Sequence, residues 1–369
     1  MQWTVGQSDL AGALQKAIRL VAPQNTMPIL SGVQLTADGD SVHVETTDLT
    51  HAMRVTLTAE VTTPGTVVIP AAVLHNLVQK IPTATITVTQ EAPGNPVMVR
   101  YGSRNRVTLQ PFGTETLPAF PQSAEEAEWH QTFAPGDWVT LHRQVPFACA
   151  KEDTRPVLKG VAVTTVNGSV EWVATDGSRL SWRGGGTGSF PLHIITPKWM
   201  QEVARMNAHD PVTVTFYPTV AVAQTSDGRT MLQGRYLSGE FPAYSRVIPS
   251  AYPTTLTVDR AELLALIDRL LAVQGKERGV PLELIIEAES VRGVLQASQT
   301  GGMEEWLEGH IEGEPRDVLF NPQFLADAVR VFEGDQVTLA FAGDQAPAKI
   351  FDPQDPQYFH LVLPLRKLA

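Results

Sequence analysis

Residues 173–182 read VATDGSRLSW, and they place a carboxylate, Asp176, beside Gly177 where one apolar run gives way to another. An exposed acid on a tight turn is a residue type that general acid–base chemistry uses. A second acid, Asp48 in TTD (46–48), stands in a similar setting, and paired carboxylates suit glycoside or peptide hydrolysis. The competing reading is conformational. Asp-Gly between alternating apolar residues is a strong turn signal, and the third segment of the same kind carries Ala297-Ser298-Gln299 where the acid would be. A turn role therefore explains the recurrence better than a catalytic dyad.

No other constellation supplies chemistry. Nine histidines are scattered, with no H-E-x-x-H or C-x-x-C pair to hold zinc. There is no G-x-x-x-x-G-K-S/T loop for a nucleotide phosphate and no G-x-S-x-G elbow. GGGTG (184–188) is not placed between a strand and a helix and reads as a hairpin tip. The single cysteine, Cys149, excludes an intrachain disulfide framework, fits a reducing cytoplasm and reads as a small core residue. No metal and no cofactor is implied, and a scaffold or binding protein is favoured over an enzyme.

The elements that position these residues come in three copies. VVIPAAVLHNLVQKIPTATITVT (67–89), HIITPKWMQEVARMNAHDPVTVTF (193–216) and DVLFNPQFLADAVRVFEGDQVTLAF (317–341) each run from an apolar lead-in through a proline into an amphipathic helix and then a strand. Pro70, Pro197 and Pro322 are 127 and 125 residues apart. Proline suits the first helical turn, where its missing N–H is no loss. A second helix precedes each of these, within 4–21, 132–148 and 256–273, and Pro146 interrupts the middle one. Leu10, Leu14, Ala17, Ile18 and Val21 make one apolar stripe, and Leu263, Leu264, Ile267, Leu270 and Leu271 another. VQLTADGDSVHVETTD, GVAVTTVNGSVEWVATD and LELIIEAESVRGVLQAS read as hairpins. The chain is thus three tandem α+β domains, 1–124, 125–250 and 251–369, with seams at the Pro-rich exits LPAFPQSAEE (117–126) and FPAYSRVIPSAYP (241–253).

Composition narrows the function. With 43% hydrophobic and 18% charged residues the profile is soluble and globular, no apolar run reaches membrane-span length, and MQWTVGQSDL lacks the layout of a signal peptide. The net charge is −11, so bulk attraction to phosphate is excluded, and any role on DNA needs a locally basic surface or a geometric device.

NTMPILSGVQL (25–35), VATDGSRL (173–180), EFPAYSRVIP (240–249) and YFHLVLPLR (358–366) resemble the bacterial β sliding clamp, the processivity ring of DNA polymerase III, and the resemblance runs the length of the chain. It implies three sliding-clamp domains, two chains joined head to tail, helices lining the hole and antiparallel sheets outside. Topology would then hold the DNA, which a net acidic chain can tolerate. The resemblance implies DNA-facing Lys16, Arg19, Lys80, Arg143, Lys198, Arg205, Arg269 and Arg330 on the helices, with Lys151 on a loop, while Gln24 stands where relatives use an arginine. It also implies a pocket for linear peptides from the polymerase III α subunit, the clamp loader, other polymerases and repair factors. The matching positions are Leu158, Thr175, Gly177, Ser178, Arg179, Leu180, Pro242, Arg246, Val247, Leu361, Leu363, Pro364, Leu365 and Arg366. Aliphatic side chains would take Leu or Phe, with Leu180 and Leu363 as floor, and arginines would donate to the peptide. Alternation in a terminal strand would put Leu361, Leu363 and Leu365 on one face, and Lys367–Ala369 extend past the usual end. Dimer closure is expected between Arg104, Arg106, Val107 and Leu109 of one copy and Leu271, Ala272, Glu304, Glu305 and Glu308 of the other. The competing function is a three-repeat adaptor that binds peptides without DNA. A two-domain trimeric clamp does not fit three repeats.

Overall fold

The computed structural model describes residues 1–21, 27–82, 84–119, 126–152, 155–275, 277, 279–288, 290–298 and 301–366, with the side chains of 296–298 excepted. Gln24, the seam at 124/125, Gln299 and Lys367–Ala369 lie outside these residues. The described residues form six α-helices, two in each repeat: α1 (Gln7–Ala17), α2 (Ala71–Lys80), α3 (Asp137–Gln144), α4 (Pro197–Met206), α5 (Arg260–Gln274) and α6 (Pro322–Arg330). The three repeated prolines open the second helix of each pair. Pro70 is the N-cap of α2, Pro197 starts α4, and Pro322 sits at the first turn of α6 behind an Asn321 side chain that accepts from Gln323 N–H. Asp259 caps α5 by accepting from Glu262 N–H. Pro146 ends the middle first helix as its ring requires, and a short 3₁₀ turn, Pro146–Ala148, follows.

The chain packs as two compact units, Met1–Val139 with Lys198–Tyr236, and Thr140–Pro197 with Leu237–Ala369. The middle repeat is divided between them because four of its strands join the sheet of the first repeat and four join a sheet of the last.

In the first unit an eight-stranded antiparallel sheet runs Trp129–Phe133, Val212–Phe216, Val220–Thr225, Thr230–Arg235, His51–Thr58, Ser41–Thr47, Gly32–Asp38, Gly65–Pro70. The junction is the pairing of Thr230–Arg235 with His51–Thr58, in the register Leu232↔Met53 and Gln233↔Ala52. A separate five-stranded sheet runs Glu60–Thr63, Gln2–Gly6, Thr85–Thr89, Val97–Tyr101, Asn105–Leu109, and Asn105–Leu109 is an edge. Helices α1 and α2 pack on each other, burying Leu10, Ala13, Leu14, Ala17, Leu74 and Val78. In the middle-repeat part of this unit Trp138 stands edge-on to Trp199, with ring centroids 5.8 Å apart, and its indole N–H donates to Met200 O at 3.0 Å. A residue larger than glycine at 234 would put Cβ 2.4 Å from that Trp199 ring, so Gly234 is a packing requirement of the strand beneath it.

The second unit repeats the arrangement. Its nine-stranded sheet runs His193–Ile195, Val161–Val166, Ser169–Thr175, Arg179–Thr187, Tyr358–Val362, Ala348–Phe351, Gln336–Phe341, Thr254–Asp259, Gly309–Glu312. The junction is Arg179–Thr187 against Tyr358–Val362, in the register Leu180↔Leu361 and Trp182↔Phe359. Its four-stranded sheet runs Gly301–Leu307, Val291–Ser298, Leu282–Ile286, Arg316–Phe320, with Gly301–Leu307 as an edge. Helices α5 and α6 bury Leu263, Leu266, Ile267, Leu270, Leu325 and Val329 between the sheets. No helix among the described residues is long and apolar enough to cross a membrane.

Candidate functional site: a turn, an apolar floor and two open sheet edges

The turn that opens the sequence reading is held together by Asp176. Its Oδ1 accepts from Ser178 N–H at 2.9 Å and Arg179 N–H at 3.1 Å. Thr175 Oγ1 donates to Arg179 O at 2.6 Å and accepts from Gly177 N–H at 3.1 Å. Gly177 has φ of 93°, which a residue without Cβ adopts at no steric cost. Asp48 builds the same turn in the first repeat, accepting from Thr50 N–H at 3.0 Å and His51 N–H at 2.7 Å. There Leu49 takes the positive φ, at 74°. Burial works to raise the Asp48 carboxyl pKa, but hydrogen bonds from His51 and Lys198 outweigh it and hold it well below the usual carboxylate range. Both acids are committed to backbone and cationic partners. Cys149 is buried, and burial pushes its thiol up to about 12.

Arg179 leaves the turn inward and is 5% exposed. Its Nε donates to Asp176 at 3.0 Å, Nη1 to Asp327 of α6 at 2.8 Å and Nη2 to Phe147 O at 3.0 Å. Its guanidinium lies 4.5 Å from the Phe324 ring centroid. The expectation that Arg179 donates to a bound peptide is therefore corrected. Its fork is filled inside the protein, and it bolts the turn to the 3₁₀ segment and to α6. Arg246 and Arg366 are exposed.

Behind the turn lies an apolar cluster of Leu158, Ala162, Val173, Leu180, Ile194, Phe241, Phe359 and Leu361, flanked by Trp182, Tyr244, Ile248 and Phe351. Of the sequence candidates, Leu158, Leu180 and Leu361 form this floor. Thr175 and Pro364 are half-buried, and Gly177, Ser178 and Pro242 are exposed. Val247, Leu363 and Leu365 are 50%, 42% and 40% exposed. Leu361 is buried while Leu363 and Leu365 are exposed, so the three do not share one face. The strand ends at Val362 because Pro364 has no N–H to continue the ladder. Beyond it, Leu363 N–H reaches Ser178 O at 2.9 Å and Leu365 N–H reaches Leu319 O at 2.7 Å. Trp182, Phe359 and Tyr244 were missed as floor residues. The first two are visible as apolar positions two residues from Leu180 and Leu361, and the third follows Phe241-Pro242 in the seam.

The cations expected to face DNA are mostly paired within the chain. Arg19 and Arg205 both bond the buried carboxylate of Glu202, Lys198 bonds Asp48 at 2.7 Å, Arg143 bonds Glu333 at 2.5 Å, and Arg330 bonds Asp268. Arg269 holds Glu305 through two hydrogen bonds, so two residues assigned to different surfaces form one ion pair. Lys16 donates to the Thr230 hydroxyl at 3.3 Å, while Lys80 and Lys151 are exposed and have no carboxylate partner among the described residues.

Of the candidate edge residues, Arg104 and Arg106 are exposed, Val107 is half-buried and Leu109 is 7% exposed, packed into its own sheet. On the other edge Glu304 is held by Arg292 at 2.5 Å, Leu271 is half-buried, and Ala272 and Glu308 are exposed. Trp306, not foreseen as an edge residue, is 63% exposed on this strand.

Three family models match this chain in register with its repeats: the N-terminal domain of the DNA polymerase III beta subunit at 1–121, its central domain at 138–243 and its C-terminal domain at 245–366. The chain belongs to the DNA polymerase III β subunit family. It is 28% identical to the β sliding clamp of Caulobacter vibrioides over 99% of this chain and all of that one, and 26% identical to that of Bacillus subtilis with the same coverage. The crystal structure of the Caulobacter crescentus protein superposes with a TM-score of 0.92 at 27% identity, and the Bacillus subtilis clamp with 0.91 at 24%, both over the full length of each chain. The chain is accordingly a sliding clamp, a processivity factor without catalytic chemistry, and the adaptor reading is not favoured.

Arg179→Met should lower stability by about 3 kcal/mol, since it leaves Asp176 and Asp327 without the cation they share. Urea unfolding of the variant against the parent measures this. A midpoint that does not move would mean that Arg179 is not the bolt.

Proposed function

We propose that two copies of this chain close head to tail into a ring around duplex DNA and tether polymerase III and other partners by their linear peptides. The observation that carries the reading is a difference between sheets. Where repeats meet within the chain, the sheets have eight and nine strands, whereas the sheets of the first and last repeats have five and four. Each of the latter ends on an edge strand, Asn105–Leu109 or Gly301–Leu307. An unpaired edge presents a row of free N–H and C=O groups. Pairing one edge with the other across two copies makes a third kind of shared sheet like the two internal ones. Two such contacts close the assembly, because the interface is heterologous and each copy offers both edges. Arg104 and Arg106 on one edge face Glu308 near the other, with Glu304 and Glu305 beside it already held by Arg292 and Arg269, while Val107 and Trp306 supply apolar area. Leu109, Leu271 and Ala272 back the contact.

On this reading the helices line the hole, with Lys16, Arg19, Lys80, Arg143, Lys198, Arg205, Arg269 and Arg330 on the DNA side and Lys151 on a nearby loop. Because most of these cations already hold carboxylates, phosphates must compete for them. That gives a weak, exchangeable grip which lets a closed ring slide. The partner pocket is the apolar floor of Leu158, Leu180 and Leu361, with Thr175, Gly177, Ser178, Pro242, Arg246, Val247, Leu363, Pro364, Leu365 and Arg366 at its rim. Arg179 supports it from behind. The polymerase III α subunit, the clamp loader and other polymerases and repair factors are its expected clients, in the cytoplasm.

Loaded protein should stay on nicked circular DNA through a high-salt wash and leave when the circle is linearised. Loss by salt alone, with no effect of cutting, would overturn encirclement. The sedimenting mass should be about twice the 40.1 kDa chain, and Val107→Asp combined with Trp306→Asp should shift it toward one chain. A mass unaffected by the pair would place the contact elsewhere. Leu180→Ala should weaken acetyl-Leu-Asn-Leu-Phe-amide about tenfold, as truncation of an anchor contact does. Calorimetry showing equal affinity for parent and variant would remove the floor from the binding site.

A further inference from the structure

Lys349 is an unexpected residue for the place it occupies. It lies on the Ala348–Phe351 strand directly opposite Leu361, whose other cross-strand neighbour is Leu180. Residues directly opposite on adjacent antiparallel strands project to the same face, so Lys349 shares the face of the apolar floor. Its ammonium lies among three aromatic rings, with centroids 4.8 Å away for Phe359, 5.0 Å for Phe351 and 6.0 Å for Tyr252. Phe351 and Phe359 belong to the floor cluster. Among the described residues no carboxylate forms an ion pair with Lys349, in contrast to most of the cations on the helices. Desolvation by its surroundings lowers its pKa. A second donor nearby is also unsatisfied: the Tyr252 hydroxyl is buried and has no hydrogen-bond partner. Ring faces offset part of the cost of burying a cation, but they do not supply an anion.

We propose that Lys349 selects the peptide: the site takes an apolar anchor on Leu180 and Leu361 and an acidic side chain on the Lys349 ammonium. The inference rests on the pocket reading above and adds a charge requirement to it. A carboxylate brought by the ligand completes an ion pair in a setting of low polarity, where such a pair is strong and directional. A ligand lacking it leaves the ammonium desolvated beside its apolar anchor. The competing role for Lys349 is structural, its aliphatic stem covering the aromatic rings while the head reaches toward water.

Two probes separate these roles, acetyl-Leu-Asp-Leu-Phe-amide and acetyl-Leu-Asn-Leu-Phe-amide, which differ by one charge. The full chain should bind the Asp peptide about tenfold more tightly than the Asn peptide at low ionic strength, and the ratio should shrink as salt is raised. In Lys349→Met the ratio should fall to about one. Lys349→Arg, which keeps the charge, should preserve it. A ratio near one in the parent, or a ratio that survives Lys349→Met, overturns the role of Lys349 while leaving the pocket standing. If neither peptide binds the parent, the pocket reading fails and the charge requirement falls with it.

Discussion

Everything in this chain depends on strand pairing between repeats. The middle repeat shares a sheet with each of its neighbours. It pairs one strand edge with each, Thr230–Arg235 on His51–Thr58 and Arg179–Thr187 on Tyr358–Val362. The backbone hydrogen bonds of these junctions are indifferent to side chains, so one architecture can carry two different surfaces. In the second unit the junction pairs are Leu180 with Leu361 and Trp182 with Phe359, backed by Val173. The equivalent positions of the first unit, 128 residues earlier, carry Ala52 with Gln233 and Arg54 with Met231, backed by Glu45. Glu45 there accepts from Arg54 at 2.7 Å and from Gln34 at 2.9 Å, and these residues line a cleft of about 510 Å³. The repeat therefore fixes the backbone at both junctions, and a handful of side chains decide whether the face there is apolar, as in the second unit, or polar, as in the first.

The same logic explains why two turns carry an acid that does no chemistry. A three-residue reversal between strands leaves backbone N–H groups that no ladder can satisfy, and an Asp side chain at its start accepts them. Asp48 and Asp176 do this identically, but the outward consequences differ. Asp48 also holds Lys198 on α4, while Asp176 holds Arg179, which reaches α6 and the 3₁₀ segment. In both cases a turn acid serves as the counter-ion that ties a sheet to a helix. In the second unit the tie lies directly behind the apolar floor, so the floor is held by a buried ion pair as well as by packing.

Period and punctuation made most of the architecture legible from sequence. The three prolines, the helical stripes and the Asp-Gly turn each depend on local geometry, and local geometry is what spacing records. Leu363 shows where that stops. Alternation counted through a proline predicts a common face for Leu361, Leu363 and Leu365, yet the missing N–H of Pro364 ends the strand and the tail turns out. Arg179 shows a second limit. Its residue type suits a ligand donor, and nothing in the sequence places Asp327, 148 residues away, within reach of it. Lys349 was overlooked for the same reason: its neighbours Tyr252 and Phe359 are distant in sequence, and only the sheet register brings Leu361 opposite to it.

Charge placement completes the picture. A chain of net charge −11 would be repelled by DNA if its cations were diluted over the surface. Its helices carry cations, but carboxylates of the same chain hold several of them, Glu202 on α4 for Arg19 and Arg205, Asp268 on α5 for Arg330, and Glu333, just past the end of α6, for Arg143. A cation already paired gains little by moving to a phosphate, because one ion pair replaces another of similar strength. The net attraction per contact is then small, and so is the barrier to leaving it for the next phosphate. Tight phosphate binding would add affinity and slow translation along the duplex together. A ring closed as proposed above would need no such affinity, since leaving the DNA would require breaking paired strand edges instead. In the proposed ring, sheet closure and self-neutralised helix cations are thus parts of one solution: the first would supply retention, and the second would allow movement.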